Sequence, residues 1–178
     1  VAVCPLLLDH DGRPVSGHVQ PMPNRDSLAR ACVGGETPSL TIDATQESVA
    51  VPYATREALM VRKQFVAGMN YFDERFGEYW ADADLAMKIR QAGKKIRLYP
   101  ALRATWHAGG TAPLGTLNTS DRITGAAALL GKYNGFLAGL GFTWAAIFKA
   151  LLRLDFSLAG AVLGGRKLGG ETKMSYPT

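Results

Sequence analysis

Between residues 71 and 107 the chain gathers the side chains best suited to chemistry. Asp73, Glu74, Glu78, Asp82 and Asp84 stand among Tyr71, Phe72, Phe76, Tyr79 and Trp80, and the segment closes on Trp106 and His107. Carboxylates beside aromatic rings suit a polyhydroxylated ligand, whose apolar face stacks on a ring while its hydroxyl edge meets carboxylate oxygens. A carboxylate so placed can also act as a general base, taking a proton from a hydroxyl as a new bond forms. Asp82 serves equally well as a helix N-cap, for which aspartate is a preferred residue. His107 has a similar split. A lone histidine after tryptophan at a strand end is usually structural, yet α/β folds place ligands at such ends. A neutral imidazole there can complete the coordination of a divalent ion. Spacing alone leaves the two readings of Asp82 even and favours the structural one for His107.

The elements that must position these residues follow from hydrophobic patterning. Val1–Leu8 reads as a buried strand, and Pro5 within it marks an edge or a bulge. Asp9-His10-Asp11-Gly12 spells the Asp-X-Asp spacing of many metal sites, but Asp-Gly followed by residues 15–19 predicts a hairpin turn and a returning strand. Residues 20–46 are rich in proline, glycine and polar side chains, which predicts a surface excursion with a helical turn at 25–31. Residues 49–53 lead into a strand over 54–61 that carries Arg56 and Glu57, and a short helix over 62–67 stops at Gly68. A helix then starts at Asp82 or Asp84, with Leu85, Ile89 and Ala92 on its apolar face and Gly93 as its C-terminal stop. Strands over 95–99, ended by Pro100, and over 103–107 follow. Thr119 or Ser120 is placed to cap a helix running through Asn134. Trp144, Ile147, Phe148, Leu151 and Leu152 form one stripe of the next helix, with Lys149 and Arg153 on its other face, and a third helix fits 156–163. The pattern is α/β, with a mixed sheet, flanking helices and two or three C-terminal helices.

Composition narrows the function classes. With 178 residues, 47% apolar and 20% charged, the chain is an ordinary globular sequence able to bury one real core. Its net charge of +5 is a modest basic excess, gathered at Lys88, Arg90, Lys94, Lys95 and Arg97 and again at Arg166, Lys167 and Lys173. Such clusters are solvated helix faces or attract phosphates, and no aromatic–basic interleaving marks a nucleic-acid platform. Cys4 and Cys32 form no CxxC pair and have no histidines at zinc spacing, which fits reduced thiols in a cytosolic protein. No basic leader precedes the first apolar run, and the opening in mid-strand reads as a chain cut from something longer. The longest uncharged run, 133–148, has 16 residues and holds three glycines, short of the roughly 20 a spanning helix needs. A helix packed on the domain is expected there. Apolar stripe plus cations is also the pattern of an interfacial helix, so a peripheral membrane contact through 140–170 is the alternative.

From about Ala54 to Gly110 the sequence resembles the acceptor-side, C-terminal half of family 2 glycosyltransferases. The likeness is to the bacterial rhamnosyl- and galactofuranosyl-transferase type with a GT-A fold. It is carried by A-L-M-V-R-K-Q-F-V-A-G-M-N-Y-F-D-E-R-F, then Y-W-A-D-A-D-L-A-M-K-I-R-Q-A-G, then I-R-L-Y-P and A-T-W-H-A-G-G, in order and at the family's spacing. Residues 1–15 resemble the strand and turn that precede this region, and the C-terminal helices share only the family's general character. The resemblance implies a domain over 1–115 and a helical extension over 116–178. It implies inverting transfer of a sugar from a nucleotide-diphosphate donor to a glycan or lipid-linked hydroxyl, in cell-surface polysaccharide synthesis at the cytoplasmic face of a membrane. Asp82 would be the base. Trp80, Asp84, Glu78 and Trp106 would bind substrate, and His107 would be a ligand to Mn²⁺ or Mg²⁺. Three departures stand out: Ala81 replaces a second acid before the base, Arg56 and Glu57 replace small residues, and the donor-binding half with its metal-binding Asp-X-Asp is absent. That absence supports an alternative, a non-catalytic derivative that dimerises over an open sheet edge or binds glycan or protein.

Overall fold

In the computed structural model, which describes residues 1–36, 38–69, 71–76, 79–107, 115–166 and 168, the chain is α/β. Strand β1 (Ala2–Leu8) buries Ala2, Cys4 and Leu7 and runs parallel to β6 (Ile96–Thr105), whose Ile96 and Leu98 are also buried. The register breaks between Pro5 and Leu6. Pro5 faces Tyr99 and Leu6 faces Arg103, so residues 100–102 form an extra loop within β6. Pro100 therefore does not end the strand as expected. A bulge accommodates its missing N–H, and pairing resumes beyond it. Pro5 marks that bulge and not an edge, because β1 lies inside the sheet order β3-β6-β1-β5. The outer strands are β3 (Val49–Val51), antiparallel to β6, and β5 (Met60–Val61), which pairs only with Ala2 and Val3 and so makes no demand on Pro5. Both edges of the four-stranded sheet are thus two or three residues long, which offers a second chain little backbone to pair with.

The Asp9–Gly12 turn forms as expected. The Asp9 carboxylate accepts the N–H groups of Asp11 and Arg13 at 2.9 and 2.8 Å, and Gly12 takes φ 74°. The returning strand over 15–19 shrinks to one bridge, Leu8 to Pro14, before β2 (Val19–Gln20) pairs with β4 (Tyr53–Ala54). Helix α1 (Arg25–Cys32) forms where a helical turn is expected, at 25–31. Asn24 and Ser27 cap it reciprocally, each side chain accepting the other's N–H at 2.9 Å. The strand expected over 54–61 is interrupted by a 3-10 turn, Arg56–Ala58, that lifts Arg56 and Glu57 out of the sheet. Helix α2 (Lys63–Gly68) follows. Helix α3 (Ala81–Gln91) buries Leu85 and Ile89, but Ala92 lies beyond its end and is exposed. Gly93, at φ 67°, closes it as expected: its N–H reaches the Arg90 carbonyl, and that of Lys94 the Ile89 carbonyl.

Two compact units divide the described residues. The first comprises 1–27, 36–73 and 82–112, and the second 28–35, 74–81 and 113–178. The second is built on α4 (Thr116–Asn134), α5 (Phe136–Leu152) and α6 (Phe156–Leu163). Helix α4 starts one turn earlier than expected, with Gly115 at its N-cap. Neither expected cap serves: the Thr119 N–H already bonds the Gly115 carbonyl, and Ser120 is buried with its hydroxyl donating to the Arg166 carbonyl at 3.0 Å. Helix α5 packs in its unit through Gly139, Phe142, Ile147 and Ala150. Of the expected packing stripe only Ile147 is buried, while Trp144, Phe148, Leu151 and Leu152 are exposed. At Gly139 α5 approaches α4 too closely for a side chain, while Phe142 and Ile147 are the large residues it buries. A Cβ on Gly139 would stand 2.5 Å from the Ala127 carbonyl oxygen. Among the described residues no helix is long and apolar enough to cross a membrane. Both cysteines are buried and free, and burial pushes the Cys4 thiol up to about 11 and Cys32 to about 12, so both stay protonated.

Candidate functional site

Asp82 is the second residue of α3, where the N-terminal end of the helix favours negative charge. Its carboxylate accepts the N–H of Ala83 at 2.9 Å and that of Arg56 at 3.2 Å, and the Tyr53 hydroxyl donates to it as well. The 3-10 turn displaced from the sheet is thus the element that meets the helix end. Burial nonetheless lifts the Asp82 carboxyl above its ordinary 3.8, and the nearby charge of Glu57 adds to that. Tyr53 is buried against Asp82, which keeps its phenol protonated well above the usual 10 and fixes it as a donor. The arrangement is a carboxylate held in one orientation and made more basic than a solvated one.

Glu57 faces a second feature, a cavity of about 220 Å³ lined by Ser16, His18, Gln20, Thr55, Glu57 and Trp106 among others. The carboxyl-terminal ends of the parallel strands β1 and β6 build one side of it. Beyond the bulge, Leu8 faces Thr105 and the Trp106 N–H reaches the Leu8 carbonyl at 2.8 Å, carrying the indole to the cavity wall. The β2–β4 pair builds another side. The Thr55 N–H bonds the His18 carbonyl, which sets His18 opposite Thr55, and their side chains meet at 3.1 Å. His18 is 3% exposed, and its Nε2 makes no hydrogen bond of good geometry. Burial holds the imidazole below its ordinary 6.5, against Glu57 and the Pro5 carbonyl, which favour the charged ring.

The expected site residues divide. Asp82 and Trp106 belong to this region of the first unit, Asp82 through Arg56 and its coupling to Glu57, Trp106 as cavity wall. Asp84 is 1% exposed and ion-paired with Lys88 at 3.1 Å, one helical turn on. Trp80 takes φ 73° and spends its indole N–H on the Arg122 carbonyl at 2.9 Å within the second unit. Glu78 lies outside the described residues. His107 follows the end of β6 and is exposed. Among the described residues no three His, Cys, Asp or Glu side chains stand close enough together to hold a metal ion, and the resemblance implies Mn²⁺ or Mg²⁺ only together with the absent Asp-X-Asp half. The residues that sequence patterning missed are Tyr53, Thr55, Glu57 and His18. Only Glu57 had carried a signal, as a charge where small residues were expected.

No protein-family model matches this chain, and no curated protein does.

Proposed function

We propose that the first unit is the acceptor side of an inverting glycosyltransferase, with Asp82 as general base. The observation that carries this reading is the Asp82 carboxylate. Three donors orient it, burial makes it more basic, and it is coupled to an acid on the wall of a cavity that also carries an indole. The acceptor hydroxyl gives its proton to Asp82 while its oxygen bonds to the anomeric carbon of the sugar. The bond from that carbon to the donor's diphosphate breaks, and the electron pair leaves with the diphosphate. Attack opposite the departing group inverts the anomeric centre. Tyr53 and the Arg56 N–H hold the carboxylate oxygens in place, and Trp106 offers a face on which a sugar ring stacks. Donor binding is assigned to no residue of this chain, and no step is routed through a metal.

The test supplies nucleotide-diphosphate sugars and hydroxylated glycans and follows transfer. Asp82→Asn is expected to lower the rate by about 10²–10⁴-fold, the usual range for a general base. Trp106→Ala is expected to raise the acceptor KM with less effect on kcat. Transfer that is unaffected by Asp82→Asn contradicts the reading.

A further inference from the structure

The cavity of about 220 Å³ beside Asp82 presents a ligand mainly with acceptors and an indole. Glu57 lies exposed on its wall and, among the described residues, forms no ion pair. An ionised carboxylate can only accept hydrogen bonds. Gln20 commits its amide nitrogen to the Gly17 carbonyl, which leaves its amide oxygen to offer. The Thr55 hydroxyl is already engaged with His18 Nδ1 at 3.1 Å. Among the side chains of this wall, the Ser16 hydroxyl and the Trp106 indole N–H are the donors still uncommitted. The volume is below the roughly 300–1,000 Å³ of a drug-sized pocket and suits a single ring.

Its charge is negative, although the chain carries a net charge of +5. Among the described residues no lysine or arginine lines the cavity. Arg56, next to Glu57 in the chain, acts on Tyr53 and is not part of the wall. His18 is buried, which holds its ring below the ordinary 6.5 and so neutral at pH 7. Glu57 also faces a second acid: burial raises the Asp82 carboxyl, and the charge of Glu57 raises it further. A neutral hexose brings hydroxyls that call for donors as well as acceptors, and it leaves the repulsion between the two carboxylates in place. An ammonium is a cation that only donates. It can bond Glu57, is attracted to the face of an indole within about 6 Å, and offsets the repulsion. We propose that this cavity takes an amino sugar bearing a free ammonium group, held between the Glu57 carboxylate and the Trp106 indole. The proposal rests on the acceptor-side reading of the first unit and names the class of sugar that unit selects.

Nitrogen-15 NMR of the full chain, following the Thr55 amide and the Trp106 indole, tests it. Glucosamine, N-acetylglucosamine, glucose and methylamine are titrated separately at about pH 6.5, where the amines keep their charge. Glucosamine is expected to bind about fivefold or more tightly than either neutral sugar, and more tightly than methylamine, which has no ring to stack. Added salt is expected to narrow that preference. Glu57→Gln, an isosteric change at an exposed position, is expected to bring glucosamine down to the level of glucose. Glucose binding that persists in this variant shows that the cavity is still formed. Equal binding of glucosamine and glucose by the unaltered chain overturns the proposal without any variant. So does a preference for glucosamine that survives Glu57→Gln, methylamine binding as tight as that of glucosamine, or no binding of glucosamine at all. The role of Asp82 as base is judged separately, by the effect of Asp82→Asn on transfer, so a chain that binds glucose and glucosamine alike loses this specificity and keeps that reading.

Discussion

Asp82 and Asp84 are two residues apart on one helix and stand in opposite circumstances. Asp84 is buried and neutralised by Lys88, whereas Asp82 is held by hydrogen-bond donors and has the acid Glu57 nearby. Removing the Asp84 charge leaves the Lys88 ammonium partly buried without this partner. Asp84→Asn is therefore expected to cost about 2 kcal/mol in chemical denaturation, with little change in any chemistry of the site. Asp82→Asn is expected to behave differently. The folded-state pKa of Asp82 is raised above 3.8, so its contribution to stability is full below pH 3.8 and declines as pH rises through the folded value. The Asn variant lacks that decline, and comparing melting temperatures of the two proteins across this window reads it directly. His18 has the opposite sign. Its pKa is lowered on folding, so its contribution is full above pH 6.5 and is lost as pH falls through the depressed value. His18→Gln is expected to flatten the fall in melting temperature between pH 7.5 and 5.5. Patterning drew attention to Asp82 because an acid beside Trp80 at a helix start is visible in one dimension. It could not find Tyr53 or His18, whose roles arise from pairing β2 with β4 and from a turn 26 residues before Asp82 in the chain.

Among the elements, the bulge in β6 and the close approach of α5 to α4 show what local reading can and cannot supply. Asp-Gly at 11–12, Gly93 after α3 and the Asn24–Ser27 cap were accessible as residue types, and the turn and the α3 stop form where the sequence places them. Pro100 was misleading, because a proline that ends an isolated strand is tolerated where the partner strand carries its own break at Pro5. That shared bulge delivers Trp106 to the cavity wall. For α5, periodicity located a stripe of large apolar residues and assigned it to packing, since burial of that area is ordinarily favourable. The helix instead buries Gly139, Phe142, Ile147 and Ala150, and the close approach of its backbone at Gly139 to Gly131 leaves no room for a side chain at that position. With Ala127 O 2.5 Å and the Gly131 Cα 3.1 Å from the position of an added Cβ, Gly139→Ala is expected to lower unfolding free energy by about 1–3 kcal/mol. Gly141→Ala, on the same helix with nothing within 4 Å of an added Cβ, is expected to be neutral or stabilising.

At the scale of the whole molecule, the described residues divide into two compact units, and the chemistry proposed for Asp82 belongs to the first. The α/β class was legible from alternating strand and helix patterns, and a four-stranded mixed sheet with six α-helices is what forms among the described residues. What the sequence did not disclose is which side of each helix faces water. That is decided by tertiary approach, and it is why the apolar face of α5 was expected to be covered. That Asp82 is an elevated carboxylate placed to take a proton from a sugar hydroxyl is a proposal open to one direct measurement. Carbon-13 NMR of the aspartate side-chain carboxyls, titrated with and without a panel of glycans and with Asp82→Asn for assignment, follows this group alone. Asp82 is expected to titrate above 3.8 and its resonance to move when a glycan binds, with Trp106→Ala abolishing the movement. An Asp82 carboxyl that titrates near 3.8 and is indifferent to every glycan would contradict it.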